Sequence, residues 1–326
     1  MAGGNTDGTR GVDGEPEPSG RRPLPAGAAA VAEVVAAVRG RARYAVVAPD
    51  MVARIAAREL AARRSARAAA EATRRKLHQV LGTYWDGPRA EADLERLTAV
   101  LGAAARAGDP DRLRAACAAA MRLHASSRER VDHVAAFYDG ILAVTGRPRV
   151  LLDIACGLNP LALPWMGLAA GAHVIAYDAD QRVARLLNGF FASLPWQADA
   201  VVHDVLAAPP VERADVALLL KAVPCLEQQV KGGAMALVAA LAADWVVVSF
   251  PTRTLSGRQV AMAAHYETLY GPALRRYGAV EVRRFPGELV FLLDKRRGTA
   301  AGEGGAAGPA QPIPAGMRGS DAMPRR

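Results

Sequence analysis

From residue 149 onward, seven short runs rich in Val, Ile, Leu and Phe alternate with segments of helical character. The runs cover 150–155, 173–178, 200–204, 216–220, 245–250, 280–285 and 289–293. A strand followed by a helix returns the chain to the same end of the sheet, so the next strand pairs in parallel. The pattern therefore specifies an α/β fold with a seven-stranded, mostly parallel, doubly wound sheet. The last two runs depart from it. Only Pro286-Gly287-Glu288 separates them, too short for a crossover helix, so they must form an antiparallel hairpin.

Upstream the composition differs. Residues 28–146 are rich in Ala, Leu, Arg and Glu and poor in β-branched runs, with breaks at Pro49, at 82–88 and at 108–110. Gly and Pro at such breaks bound helices, predicted over 28–39, 50–64, 66–81, 90–107, 110–123 and 126–145. Residues 1–26 and 298–326 carry repeated Gly, Pro and charge with almost no large apolar side chain. They cannot bury enough surface to offset their ordering entropy and are expected to be disordered tails. The organisation expected is thus a tail over 1–26, an all-helical N-terminal domain over 27–146, an α/β domain over 147–297 and a tail over 298–326.

The charge balance narrows the partners. The net charge is +9, almost wholly from arginine, whose guanidinium binds phosphate in a bidentate fork. Between Val31 and Lys76 there are 11 basic and 4 acidic side chains. On helices this is either a solvated face or a phosphate-binding surface. No secretory leader is expected at the Gly-rich, partly acidic N-terminus, and the longest apolar stretch, 233–250, contains Asp244 and splits into helical and strand halves, so no membrane segment is expected. Three widely spaced cysteines, Cys117, Cys156 and Cys225, make neither a disulfide framework nor a zinc site. A cytoplasmic protein with no bound metal fits these features.

Ligands of open α/β sheets bind at the carboxyl ends of the strands, near the point where strand order reverses. The turn after the first strand reads Asp153-Ile-Ala-Cys-Gly157-Leu-Asn-Pro160. Its small residues allow close approach of a nucleotide-like ligand, and Pro160 can open a helix. A dinucleotide would need a glycine-rich phosphate loop. Here there is one glycine, and Gly-x-Gly-x-x-Gly is absent. A sulfonium cofactor has no phosphates, so this leaner turn suits it. Asp178 ends the second strand, where a carboxylate can accept from both ribose hydroxyls. Asp204 ends the third in "VVHDVL", where it can accept from an adenine amino group while Val205 packs on the ring. Either aspartate could instead be a helix N-cap.

A mostly parallel sheet closed by a hairpin resembles the Rossmann-like fold of S-adenosylmethionine (SAM)-dependent methyltransferases. The blocks "DIACGLNPLALPW", "HDVLAAPP", "LLLKAVPCLE", "AMAL" and "SFPTRTLSGR", with "KLHQVLGTYW" and "HASSRER" upstream, make the resemblance closer. Together, across about residues 30–295, they resemble the aminoglycoside-resistance 16S rRNA methyltransferases that modify N7 of guanosine 1405 in the decoding site. The Arg- and Ala-rich style is similar to the branch from antibiotic-producing actinomycetes. The resemblance implies SAM as cofactor, 16S rRNA in the 30S subunit as substrate, and no obligate protein partner; a monomer is expected. It also implies that His124, Ala125 and Ser126 line the cofactor site, and that Arg130 holds the methionine carboxylate. Ala155 and Gly157 would flank the methionine and ribose, Asp178 the ribose, and Asp204 with Val205 the adenine. Leu220 and Gln229 would lie near the reacting end. One aromatic of the pair Tyr84-Trp85 would touch the cofactor, with Tyr84 preferred.

Guanine N7 offers an in-plane lone pair and carries no proton, so its methylation needs alignment and no general base. No paired-carboxylate or Ser/His/Asp constellation stands out, and no catalytic residue in the strict sense is assigned. In a helix, N7 lies in RNA's deep, narrow major groove, so the base must be flipped or the helix distorted. The RNA contacts expected are Lys221, Arg253 and Arg258 beside the site, and Arg39, Arg41, Arg43, Arg63, Arg64 and Arg67 on the helices. For Lys221 the alternative is an ion pair with Glu227. Tyr266, with Met262 one turn earlier, is expected either to touch the flipped base or to pack in the core. Other readings stay open: a non-enzymatic rRNA-binding assembly factor, or methylation of a neighbouring decoding-site nucleotide. Pro224-Cys225 also raises covalent cytosine methylation, against which stands the absence of a second cysteine or a Glu-Asn-Val block after the fifth strand.

Overall fold

The computed structural model describes residues 27–63, 65–81, 91–252 and 262–298. Tyr84 and Trp85, Arg64, Arg253, Arg258 and both expected tails, apart from Gly298, lie outside them. The helices preceding the sheet are α1 (Ala28–Arg39), α2 (Ala42–Ala45), α3 (Pro49–Ala61), α4 (Ala66–Leu81), α5 (Glu91–Arg106), α6 (Pro110–Met121), α7 (Ala125–Arg128) and α8 (Val134–Thr145). The sheet region then runs β1 (Val150–Ile154), α9 (Leu163–Met166), β2 (His173–Asp178), α10 (Gln181–Phe191), β3 (Gln197–Val202), β4 (Ala214–Leu220), α11 (Val223–Gln229), α12 (Gly233–Ala240), β5 (Ala243–Pro251), α13 (Met262–Arg275), β6 (Ala279–Phe285) and β7 (Glu288–Asp294).

The seven strands form one sheet in the order β3-β2-β1-β4-β5-β7-β6. β1 pairs in parallel with both β2 and β4, so the chain reverses its winding beside β1. β7 runs antiparallel to β5 and β6, as the short connection requires. Only Pro286 and Gly287 form that turn, with Gly287 at φ +76°, a backbone conformation glycine adopts without Cβ strain. Glu288 belongs to the strand instead, fully buried as its first residue. β3 begins and ends earlier than its apolar run. As an edge strand with one exposed face it needs no continuous apolar sequence, so Asp204 lies two residues past its end.

Alternation of side chains across the sheet separates two cores. On one face Leu151, Val174, Val216 and Val247 pack with Phe190 of α10, Leu101 of α5, Met121 of α6 and Phe137 of α8. On the other Leu152, Ile175, Leu219 and Val248 pack with Leu237 of α12 and Leu274 of α13. Each such side chain contributes about 1.5–3 kcal/mol of burial. A third cluster, built on Val34, Val38, Met51, Val52, Ile55 and Leu77, holds α1 to α4 together. The predicted helical domain of 27–146 thus splits by core: α1–α4 form a unit of their own, whereas α5, α6 and α8 cover one face of the sheet.

The helix predicted over 126–145 is interrupted. α7 stops at Arg128, a short 3-10 turn covers Val131–His133, and α8 starts at Val134. At the break, Arg130 turns inward. Its Nε and Nη2 donate to both carboxylate oxygens of Glu288 on β7, and Nη1 donates to Asn159 Oδ1 at 2.6 Å. The guanidinium also stacks over Phe137 at 4.4 Å. No helix among the described residues is long and apolar enough to cross a membrane.

Candidate active site

The carboxyl ends of β1, β2 and β4 open into one cavity, with the residues after β3 on its wall. Ala155 and Gly157 lie in the turn after β1, Asp178 ends β2, Asp204 and Val205 follow β3, and Leu220 ends β4; all line the cavity. Two non-glycine residues there have left-handed backbone, Ala155 at φ 51° and Lys221 at φ 57°. Such conformations cost about 1–3 kcal/mol each and persist where surrounding contacts enforce them. Here Cys156 N–H donates to Tyr177 O, and Lys221 N–H donates to Ser249 O. Gly157, at φ +52°, has no alternative: a Cβ on it would meet the His124 ring at 2.7 Å. That ring, with Ser126, forms another side of the cavity.

Asp178 is tied to the local backbone. Its Oδ2 accepts from Gly157 N–H and its Oδ1 from Asp180 N–H, both at 2.8 Å. Burial raises its pKa to about 6, with those amides working against the shift. The N-cap role belongs to its neighbour: Asp180 accepts from Arg182 N–H at the start of α10. Asp204 is held differently. Oδ1 accepts from Leu206 N–H at 3.1 Å, while Oδ2 accepts from Arg54 Nε of α3 at 2.6 Å. Its own N–H donates to Asp50 Oδ2 at 3.0 Å.

The α1–α4 unit therefore roofs the cavity. Met51 and Val80 line it, Val47 bridges to Asp180, and Ala48 N–H donates to Ala179 O. Gln229, at the end of α11, is a wall residue whose Oε1 accepts from Arg54 Nη2 at 2.7 Å. The sequence reading missed Met51, Arg54, His203 and Asp180. Only Asp180 carried a local signal, an Asp immediately before an amphipathic helix. Cys225 also lines the cavity.

A buried polar network lies beside this cavity. Arg130 and Glu288 are each 1% exposed, and Ser249 donates to Glu288 Oε1 at 2.8 Å. Burial would raise the Glu288 carboxyl, but the facing Arg130 and Lys221 charges hold it below the usual carboxylate range. Asn159 connects Arg130 to Asp153 of β1, whose pKa burial lifts to about 7. Four of the expected site residues, Arg130, Ala125, Lys221 and Tyr266, are buried. Arg130 does not face the cavity: its guanidinium is taken up by Glu288 and Asn159, and Ala125 is likewise buried off the cavity wall. Lys221 is a cavity-wall residue, buried, with Nζ donating to Glu129 Oε2 at 2.7 Å and Ser126 O at 3.2 Å; it is paired with Glu129 and not with Glu227, whose carboxylate accepts from the Gly232 and Ala234 amides. Tyr266 is buried and stacks on Phe250 at 4.5 Å, in keeping with the core-packing alternative.

On the helical unit, Arg41 and Arg67 are exposed, while Arg39 donates to Ala45 O and Arg43 reaches His78 Nδ1. Arg63, just past α3, pairs with Glu59 of that helix, and Arg67 pairs with Glu71 on α4. None of these five reaches the cavity.

Two carboxylates on adjacent strand ends, an apolar wall and a turn lacking a phosphate loop fit an adenosyl group attached to a sulfonium. Residues 40–292 match the profile of the family described as "Ribosomal RNA methyltransferase (FmrO)". The chain belongs to this family. Among its relatives, the 16S rRNA (guanine(1405)-N(7))-methyltransferase of Frankia casuarinae is 38% identical over 266 residues, 81% of this chain and 92% of that protein. The enzyme of the same name from Serratia marcescens is 37% identical, over 78% of this chain and 94% of its own. Among solved structures, the 16S rRNA methyltransferase RmtF in complex with S-adenosyl-L-homocysteine is 34% identical. It superposes with a TM-score of 0.67 over 81% of this chain and 97% of that one. The 16S rRNA methylase RmtB gives 32% identity and a TM-score of 0.66. Membership in this family makes the chain a SAM-dependent methyltransferase and sets aside the non-enzymatic reading.

Proposed function

We propose that this protein transfers a methyl group from SAM to N7 of guanosine 1405 of 16S rRNA, in the assembled 30S subunit, and so confers aminoglycoside resistance. The observation that carries the reading is the placement of Asp178 and Asp204 on one cavity wall at neighbouring strand ends, within a chain whose relatives carry that activity in their names. Bound there, SAM supplies an electrophilic methyl on sulfur; the guanine N7 lone pair forms the new bond to carbon while the sulfur–carbon pair returns to sulfur.

The chain's residues do the rest by position. Asp178 accepts from the ribose hydroxyls, and Asp204 accepts from the adenine amino group with Val205 against the ring. His124, Ser126, Ala155, Gly157 and Leu220 bound the methionine and reacting end. Lys221, fixed by Glu129, places a cation at that wall without being available as a long-range phosphate hook. Since N7 loses no proton, no base is required, and alignment of nucleophile, carbon and sulfur is the main demand. Arg41 and Arg67, exposed on the helical unit, suit the rRNA backbone, with Arg39, Arg43 and Arg63 beside them. Binding is expected to weaken steeply with salt. The enzyme acts as a cytoplasmic monomer in this reading.

Mapping the modified nucleotide after incubating 30S subunits, and separately free 16S rRNA, with labelled SAM tests the proposal. Label at N7 of guanosine 1405 in subunits alone is the expected result. Label on a neighbouring nucleotide overturns the assigned position, and equal labelling of free rRNA overturns the requirement for the assembled subunit.

A further inference from the structure

Arg54 of the helical unit joins two different walls of the cofactor cavity. Its Nε donates to Asp204 Oδ2 at 2.6 Å and its Nη2 donates to Gln229 Oε1 at 2.7 Å. Asp204 is only 5% exposed and Arg54 19%, so the contact is largely shielded from water. Arg54 stands behind the wall and is not itself among its lining residues. Gln229 is braced a second time, by Arg58 Nη1 donating to its backbone carbonyl at 2.6 Å. On its other flank Arg54 lines a second cavity, with Arg58 and Lys76.

An ionised carboxylate has only acceptors to offer, with about four lone-pair positions. In Asp204 one oxygen serves the Leu206 amide and the other the Arg54 guanidinium. These two bonds come from opposite partners and fix the plane of the carboxylate. The positions left over are aimed by that plane. Charge-assisted guanidinium bonds are short and directional, which makes Arg54 better suited to this than a water molecule or a lysine.

We infer that Arg54 is a positioning residue: by holding Asp204 it makes the cavity select a 6-amino purine over a 6-oxo purine. The inference rests on the reading that Asp204 faces the adenine amino group. An aimed acceptor pairs with an amino donor and confronts a 6-oxo group with another acceptor. A carboxylate free to rotate can turn away from the mismatch, so selectivity falls while the apolar contact with Val205 survives. The cost of a mismatched polar group in a buried site is what creates such discrimination.

The test is equilibrium binding of S-adenosylhomocysteine and its 6-oxo analogue S-inosylhomocysteine to the full-length protein and to Asp204→Asn, Arg54→Ala and Arg54→Lys, each checked by thermal melting. The ratio of the two dissociation constants is the readout. The unsubstituted protein should favour the adenosyl ligand strongly, and Asp204→Asn should abolish the preference. Arg54→Ala should cut the preference by about tenfold, and Arg54→Lys, which keeps the charge without the fork, should cut it by several-fold. Should Arg54→Ala weaken both ligands by one common factor, the residue is merely structural and the inference is overturned. Should Arg54→Ala fail to fold, full selectivity in Arg54→Lys overturns it equally. Retention of the full preference in Asp204→Asn would instead refute the adenine role of Asp204 itself.

Discussion

The Asp178 side and the Asp204 side of the cavity are held by different parts of the chain. Asp178 takes its bonds from the amides of Gly157 and Asp180, both within the sheet unit and close in sequence. Asp204 takes one local amide, then depends on Arg54 and Asp50, 150 and 154 residues earlier. The first carboxylate is in place once β1 and β2 pair. The second is complete only when the α1–α4 unit has docked across the strand ends. The site is therefore half intrinsic to the sheet and half an interface, and the basic helical unit is the one that completes the Asp204 end.

The largest expected effect tests whether the sheet's half is self-sufficient. Glu288→Ala leaves the Arg130 guanidinium, 1% exposed, without its counter-charge. Removing one partner of a buried ion pair costs about 3–5 kcal/mol, to be read from denaturant unfolding. A loss below about 1 kcal/mol would mean that the buried network does not carry the floor of the site. Next in size is Asp178→Asn. Losing a charged acceptor for two hydroxyls should weaken SAM binding about 100-fold, measured calorimetrically. The melting temperature should hold or rise, because burial disfavours the ionised form of this carboxylate more than its amide bonds favour it. A large fall in melting temperature would show that Asp178 supports the fold as well as the ligand.

Titration separates the two roles of Asp178 by sign. Burial lifts its pKa to about 6, so the folded state holds the proton more tightly than the unfolded chain. That contribution to stability is complete below the ordinary carboxylate pKa and is lost as pH rises through about 6. Cofactor binding runs the other way, since only the ionised form accepts from both hydroxyls. SAM affinity should fall about tenfold per pH unit below pH 6, and the slope should vanish in Asp178→Asn. An unchanged slope in that variant would assign the titration to another group.

The same division explains what the sequence disclosed. The central strands were legible because burial on both faces demands continuous apolar runs, and the hairpin because three residues admit no crossover. Asp178 and Asp204 were legible because strand ends are local positions. The break in the helix over 126–145 was not, since Arg130 answers to Glu288, 158 residues away. The burial of Tyr266 was one of the two roles the sequence left open, and its stacking against Phe250 of β5 accounts for it. Arg54 and Met51 read as ordinary residues of an amphipathic helix; only the docking of α3 over the strand ends gives them a site. The ion pair that the sequence offered Lys221, as the alternative to an RNA contact, was with Glu227; in the fold its partner is Glu129, 92 residues earlier.

The smallest expected effect addresses the interface half directly. Asp50 sits in the first turn of α3, accepts the Asp204 amide and lies 3.1 Å from His203 Nδ1. Asp50→Ala removes one hydrogen bond between the roof and the adenine end, worth about 1 kcal/mol, and a favourable charge at the helix N-terminus, worth about 0.3–1 kcal/mol. Because Arg54 still grips Asp204, SAM affinity should fall only about fivefold, whereas amide exchange across α1–α4 should accelerate with little change in β1 and β2. That asymmetry is the signature of a roof docked on a self-standing floor. If Asp50→Ala instead weakened SAM as much as Asp178→Asn, or loosened the central strands along with the helices, the adenine end would govern the site and the order of assembly would be reversed.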